Sequence, residues 1–309
     1  MVLLGLWYIK YVYKGYNMIR QKHLMKPIAL ACLGSIILGS SAIFVRISDL
    51  GPISTGFYRM LFALPLLAIW VKWEQSQRLV SEVVPSENRG VVFLAGFFFA
   101  LDLAVWNWSI DYTTVVNSTL FNNTAVFFVP LISWFFFKEK PSLQFIMTVI
   151  IGFIGCLCLL GGKFSGAFTN FIGDFVALVS GVLVAAYLIS IQQIRGGMST
   201  GLLMFWTGLV SLFFLGLFAY MSGESFWPFT YKDALSFFGQ AVLVHLIGQS
   251  LLAYSLGQIP AAYAALILFL APVTAAILGW VIYAEALGPI EIIGMVLIMV
   301  SIMAVRKKV

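Results

Sequence analysis

Ten apolar runs of about twenty residues follow one another along this 309-residue chain, at 27–45, 52–71, 91–110, 115–137, 142–161, 171–191, 201–221, 234–254, 261–282 and 287–305. A helix needs about 20 such residues to cross a hydrocarbon core roughly 30 Å thick. Lipid offers the backbone no hydrogen-bond partner, so a spanning segment must satisfy its own N–H and C=O groups. The runs therefore predict an all-α integral membrane protein of ten transmembrane helices, spans 1 to 10. Composition agrees: 61% of residues are hydrophobic and 10% charged, against about 45–50% and 25% in soluble domains.

A net charge of +6 can signal affinity for nucleic acid, but here the positions of the charges decide. With the N-terminus placed in the cytoplasm, the inner segments carry 14 of the 18 Lys and Arg residues, from Lys10 to Lys26, then Lys72, Arg78, Arg89, Lys138, Lys140, Arg195 and the tail Arg306, Lys307, Lys308. The outer loops hold Arg46, Lys163 and Lys232, and Arg59 lies within span 2. That asymmetry is the positive-inside pattern. It predicts a multi-pass protein of the cell (inner) membrane with both termini cytoplasmic, a lipid bilayer as its surroundings and no nucleic-acid partner.

Residues 1–26 form a leader that mixes apolar residues with Lys10, Lys14, Arg20 and Lys22. It lacks the order of a secretory signal. Two readings stand: an interfacial helix, or a start site downstream, at Met18 or Met25. Cys32, Cys156 and Cys158 lie inside spans, as small packing residues rather than a redox or metal motif. The sequons at 107–109, 117–119 and 122–124 fall at or within spans 3 and 4, away from the surface loop that glycosylation requires.

The chain also repeats. GPISTG at 51–56 aligns with GGMSTG at 196–201 at an offset of 145, and the stretch from Trp108 aligns with that from Tyr254 at 146, pairing Ser109 with Ser255, Leu120 with Leu266, Trp134 with Trp280 and Glu139 with Glu285. This period divides the chain into residues 27–162 and 163–309, five spans each, the second ending in the basic tail. Five is odd, so the second copy must insert upside down, giving two inverted five-helix repeats. Glu139 and Glu285 are then expected at opposite membrane boundaries.

The order of these features resembles the EamA-type branch of the drug/metabolite transporter superfamily. The resemblance rests on the duplicated ten-span layout, on GFYRMLFALPLL with Arg59, on LDLAVWNWSIDYTT, and on PLISWFFFKEKPS with its counterpart APVTAAILGWVIYAEAL. It implies a metabolite or amino-acid exporter working by alternating access. The halves are not identical: Met204 stands where Arg59 falls, Val126 where the second half has Pro272, and Thr148 where it has Gly294.

Ionisable groups within a span cost roughly 2.5–3.5 kcal/mol on insertion scales and are functional candidates by default. Arg59 in span 2, Asp102 in span 3 and His245 in span 8 qualify. Asp102 can hold an ammonium group or serve as a proton-coupling site, and Arg59 can meet a carboxylate bidentately; alternatively the two pair with each other and fix helix packing. His245 and Gln249 are spaced i, i+4 and share a helix face, as do Asp102 and Trp106. At offset 146 Phe99 is the equivalent of His245 and Gly248 that of Asp102, which predicts an asymmetric cavity between spans 3 and 8. Span 4 adds Asn117, Thr119, Asn122 and Asn123, the last three on one stripe with Val126 and Pro130. That stripe either binds a solute or satisfies backbone freed by Pro130. Ala271, Ala275 and Gly279, and Gly181 with Ala185, are small-residue patterns suited to close packing. Trp70, Trp73, Trp227, Tyr231 and Tyr283 read as interfacial aromatics, and Trp106, Tyr187, Trp206 and Tyr263 as deeper ones that fill the core or line a path.

No GxxxxGK[ST] loop, HExxH motif or Arg-rich helix occurs, and neither a cofactor nor a metal is expected. Together with what the resemblance implies, this gives the expectation of a non-enzymatic secondary transporter that exports a small, amino-acid-like or drug-like solute, with protons as a possible coupling ion. The candidate path is Arg59, Asp102, Trp106, Asn122, Asn123, His245 and Gln249. A flippase for lipid-linked substrates, an intramembrane enzyme and a non-transporting subunit are the alternatives.

Overall fold

The computed structural model describes residues 25–77, 84–110, 112–113, 115–138, 140–161, 171–195, 197–227 and 230–306. Residues 1–24, Glu139 and the tail beyond Arg306 lie outside the described residues, so the leader and the boundary position of Glu139 do too. What is described is helical, without a strand. Among the described residues nine helices are long and apolar enough to cross a membrane: Met25–Ile47, Pro52–Ser76, Ser86–Ser109, Ser118–Phe136, Leu143–Leu160, Phe171–Arg195, Thr200–Met221, Tyr231–Leu256 and Ala261–Tyr283. The tenth apolar run forms the helix Pro289–Arg306, which reaches the last described residue. In chain order these are spans 1 to 10. Their outward surfaces are apolar, with Ile69, Phe135, Leu143, Phe213 and Val281 each more than half exposed; such a surface suits hydrocarbon and would be a liability in water.

The halves are inverted relative to one another. Spans 2 and 7, equivalent in the repeat, run antiparallel and pack along their length. Near one end of the bundle, Glu224, which follows span 7, accepts from the backbone N–H of Ser54 at 2.7 Å and of Ile53 at 3.2 Å. At the other end Glu74 of span 2 accepts from Ser199 Oγ at 2.7 Å, where span 7 begins. Ser54 and Ser199 are the paired serines of the repeated STG motif, and they stand at opposite ends. Spans 5 and 10, also equivalent, cross where Gly155 meets Gly294: a Cβ on Gly155 would lie 2.8 Å from the Gly294 carbonyl oxygen, and one on Gly294 2.6 Å from that of Gly155. The other large pairings come in matched sets, span 3 with 6 as 8 with 1, span 4 with 6 as 9 with 1, and span 3 with 7 as 8 with 2.

Local breaks recur at equivalent positions as well. Span 4 is interrupted after Asn122 and resumes at Ala125, while span 9 is interrupted after Ile267 and resumes at Leu270. Pro272 accounts for the second break, since its ring has no N–H and crowds the carbonyl of Leu268. Span 4 has no proline there; instead Asn123 Nδ2 donates to the Thr119 carbonyl at 2.8 Å and Thr124 Oγ1 donates to that of Phe121. Side chains that bond the local backbone in this way compete with the helical ladder. Both helices end on a left-handed residue, Lys138 (φ 61°) and Ala284 (φ 54°), 146 positions apart.

Span 8 departs from α-geometry. A capping box between Thr230 and Asp233 starts Tyr231–Gly239, and Asp233 Oδ1 also accepts from Ser48 Oγ and from the N–H of Asp49, both at 2.7 Å. The next ten residues, Gln240–Gln249, form a π-helix before Ser250–Leu256 returns to α. Stretches of π-helix are rare and concentrate at functional sites.

Candidate functional site

The polar side chains inside the bundle gather where the two repeats meet. Asp102 of span 3 accepts from Asn122 Nδ2 at 2.9 Å, and the same amide lies 2.9 Å from Ser180 Oγ of span 6. Ser180 in turn donates to the Ala177 carbonyl at 2.7 Å. Asn122 is free to reach across because it sits at the break in span 4, whereas its neighbour Asn123 is taken up by its own helix. Asn117 is without a described side chain.

One turn along span 3 stands Phe99, whose ring meets Tyr187 of span 6 with centroids 5.2 Å apart and His245 of span 8 at 6.1 Å. Phe99 and His245 are equivalents in the repeat, so they face each other across the pseudo-twofold axis. Spans 3 and 8 meet there through rings. Gln249 Nε2 donates to the Tyr187 hydroxyl at 2.7 Å. Arg59 of span 2 is 6% exposed and lies over the same Phe99 ring, 5.5 Å from its centroid, in the geometry of a cation–π contact. Among the described residues no carboxylate pairs with Arg59, and its Nε has no acceptor. Arg59 and Asp102 therefore do not bond one another. His245 is 3% exposed and neither ring nitrogen has a partner among the described residues. Trp106, one turn beyond Asp102, is half-buried, and its carbonyl accepts from Ser109 Oγ at 2.6 Å.

The mirror position is shut. Ser35 and Gly248, the equivalents of Ser180 and Asp102, lie where spans 1 and 8 pack against each other, and a Cβ on Gly34 would stand 2.8 Å from the Gly248 carbonyl oxygen. Ser35 Oγ is bonded to the Ile267 carbonyl at 2.9 Å. The polar cluster is thus one-sided, built on spans 3, 4 and 6 with Arg59 and His245 added from spans 2 and 8.

A cleft of about 280 Å³ opens at the end of the bundle that holds Glu74, lined by Pro130, Ser133, Lys140, Phe145, Gln192 and Tyr263 among others. Ser133, Pro130 and Val126 continue down span 4 toward Asn122 at helical spacing. At the opposite end Arg46 Nη1 bonds Glu285 Oε1 at 2.6 Å, with the guanidinium 3.9 Å from the Tyr283 ring centroid.

Other sequence candidates are placed as follows. Trp206 is 39% exposed, against its neighbour Phe205, and Tyr263 meets Phe145 in the cleft. Gly181 abuts the Phe121 carbonyl and Gly39 that of Ala271, both tight helix contacts; Gly279 faces the Glu285 side chain instead of a neighbouring helix. No group of three or more His, Cys, Asp or Glu side chains suited to a metal occurs among the described residues. Phe99 and Ser180 are the members of the cluster that residue type alone did not single out, and Tyr187, expected to fill the core or line a path, is in it.

The model of the EamA-like transporter family matches the chain twice, at residues 25–161 and 171–306. An uncharacterized transporter of Archaeoglobus fulgidus is 30% identical over 165 residues, which cover 52% of this chain and 55% of that relative, so the chain matches about half of that protein's length. A second from the same organism is 24% identical over 295 residues, 93% of this chain and 88% of the relative. One from Clostridium kluyveri is 22% identical over 251 residues, 78% and 79%. A crystal structure superposes with a TM-score of 0.75 at 14% identity, covering 90% of this chain and 96% of that one, a likeness of fold. With both halves matched separately, the chain belongs to the EamA-like transporter family, as a multi-pass membrane protein.

Proposed function

We propose that the protein is a secondary transporter that exports a small organic solute, amino-acid-like or drug-like, by alternating access of its inverted repeats. The observation that carries this reading is the convergence of Arg59, Asp102, Asn122 and His245, from four spans, at the meeting of the halves. Intramembrane polar groups of this kind mark solute and ion pathways, and in carriers built from repeats the site lies at the repeat interface near mid-depth.

In this reading the solute enters from the cleft at the Glu74 end, descends the Ser133, Pro130, Val126 stripe and binds beside Asp102 and Phe99. Rocking of the halves then closes that cleft and opens the end now closed by Arg46 and Glu285. The positive-inside pattern puts the Glu74 end, and both termini, in the cytoplasm of a cell whose inner membrane holds the protein. Asp102 is the proposed proton-coupling site, and the chain acts as a carrier, not an enzyme.

The test is solute counterflow in liposomes, with a metabolite panel first screened for thermal stabilisation of the purified protein. Export coupled to protons predicts uptake that depends on pH in the wild type and loses that dependence in Asp102→Asn. Unchanged pH dependence in the variant removes Asp102 as the coupling site; a protein that moves no member of the panel overturns the carrier reading.

A further inference from the structure

Arg59 and His245 approach the same ring from different repeats, and both have buried polar atoms that nothing among the described residues satisfies. Arg59 Nε lacks an acceptor and both nitrogens of His245 lack partners among the described residues, in side chains 6% and 3% exposed. A buried hydrogen-bonding atom without a partner carries its full desolvation cost, and an unpaired buried charge carries more. A helix bundle free to place any residue here would keep neither group unless something else completed them.

We propose that Arg59 and His245 form an anion subsite that receives the carboxylate of the transported solute, with Phe99 as its apolar wall. The inference rests on the carrier reading above and deepens it by fixing the charge class of the solute. Three features point to an anion. The guanidinium is always protonated and presents donors in a fork that fits two carboxylate oxygens. Whichever tautomer His245 adopts, one ring nitrogen carries a proton to donate. Gly208 borders the imidazole without a side chain, where a Cβ would meet Nε2 at 3.9 Å and Leu64 at 3.5 Å, so this neighbour offers the ring nitrogen no side-chain partner.

Charge placement supports the same assignment. The acid nearest along the helix, Asp102, lies one turn from Phe99 and is held by Asn122, away from the guanidinium. An acid aimed at Arg59 would fill the subsite permanently; here the cation is kept available. The Phe99 ring, flanked by Tyr187 at 5.2 Å, gives the body of the solute an apolar or aromatic surface to lie on. The expected ligand is an organic monocarboxylate with an apolar or aromatic body.

Benzoate and benzamide test this, because they share shape and differ in charge. Purified wild-type protein in detergent is expected to melt at a higher temperature with rising benzoate, saturably, and to be unmoved by benzamide at the same concentrations. Arg59→Gln is expected to weaken the benzoate effect at least tenfold. His245→Gln, which keeps a donor, should weaken it less than His245→Leu. If Arg59→Gln does not fold, Arg59→Lys, which keeps the charge without the fork, should still weaken benzoate severalfold, and the acid-against-amide comparison needs no variant at all. Equal effects of benzoate and benzamide on the wild type, no effect of either, or unchanged benzoate binding in the Arg59 variants each overturn the anion subsite. Liposomes that move neutral or cationic solutes with no preference for acids overturn it while leaving the carrier reading intact.

Discussion

Glu74 and Glu224 hold opposite ends of the same helix pair: Glu224, just past span 7, accepts from first-turn N–H groups of span 2, and Glu74 of span 2 accepts from the Ser199 hydroxyl that caps span 7. A carboxylate at a helix N-terminus satisfies N–H groups that have no partner within the helix and meets the positive end of its dipole. Glu224→Ala should cost about 1 kcal/mol of stability, in the range of a lost N-cap. Glu74→Ala should cost a similar amount, and because the two sites lie at opposite ends of the bundle the double variant should lose close to the sum. Thermal unfolding in detergent checks this; a double variant no worse than either single one would show that the two ends are not separate clasps.

Ala284 and Lys138 each sit in the left-handed region, where a Cβ costs roughly 1–2 kcal/mol. Glycine removes that cost and returns part of it as entropy of the unfolded chain. Ala284→Gly and Lys138→Gly should therefore each stabilise the protein, by up to about 1 kcal/mol. A fall in melting temperature would contradict the assigned backbone at that position.

Gly34→Ala should separate spans 1 and 8, since its Cβ meets the Gly248 carbonyl oxygen at 2.8 Å and backbone cannot swing aside. Overpacking of this kind typically costs 1–3 kcal/mol. Gly90, in the first turn of its helix, meets nothing within 4 Å, and Gly90→Ala should gain up to about 1 kcal/mol from helix propensity. Opposite signs for these two alanines are the expected result in a melting series.

Asn122→Leu should leave Asp102 without its amide partner and cost about 1–3 kcal/mol, the price of an unsatisfied buried acceptor. Its equivalent in the second half, Leu268, is already leucine, so Leu268→Met should cost under about 1.5 kcal/mol. In counterflow assays Asn122→Leu should lower transport at least tenfold and Leu268→Met should leave it near the wild-type rate. Equal transport by both variants would separate Asn122 from the solute path.

Much of the fold was legible because membrane crossing depends on length and apolarity, which the sequence states directly. The inversion followed from an odd number of spans per repeat, and the STG serines at opposite ends of spans 2 and 7 bear it out. The tenth run, read as 287–305, forms the helix Pro289–Arg306, with Pro289 opening it and Glu291 in its first turn. Arg59, Asp102 and His245 announced themselves as charges in an apolar segment. Ser180 did not, because a serine in a span has no distinguishing pattern until the helix facing it is known, and Tyr187 stood out only as a deep aromatic that fills the core or lines a path. Phe99 carried a faint signal as the equivalent of His245. The break in span 4 illustrates the limit well, since Pro272 predicts its counterpart in span 9 while Val126 gives no warning, and the work is done by Asn123 and Thr124 through bonds to their own backbone.

The π-helical stretch of span 8 has a mechanical consequence. A π-turn takes in more residues than an α-turn, so Gln240–Gln249 is wound with slack that an α-helix would not contain. One end of the span is pinned, Asp233 being bonded to Thr230 and to the chain at Ser48 and Asp49. The other end is held as well, Arg195 Nε donating to the Ala253 carbonyl at 3.2 Å, so a change of winding between the two holds would fall on the side chains between them, His245 against Phe99 and Gln249 against Tyr187. His245, which meets the opposite repeat at Phe99, and Gln249 thus both sit on the one stretch of span 8 that is wound differently from an α-helix.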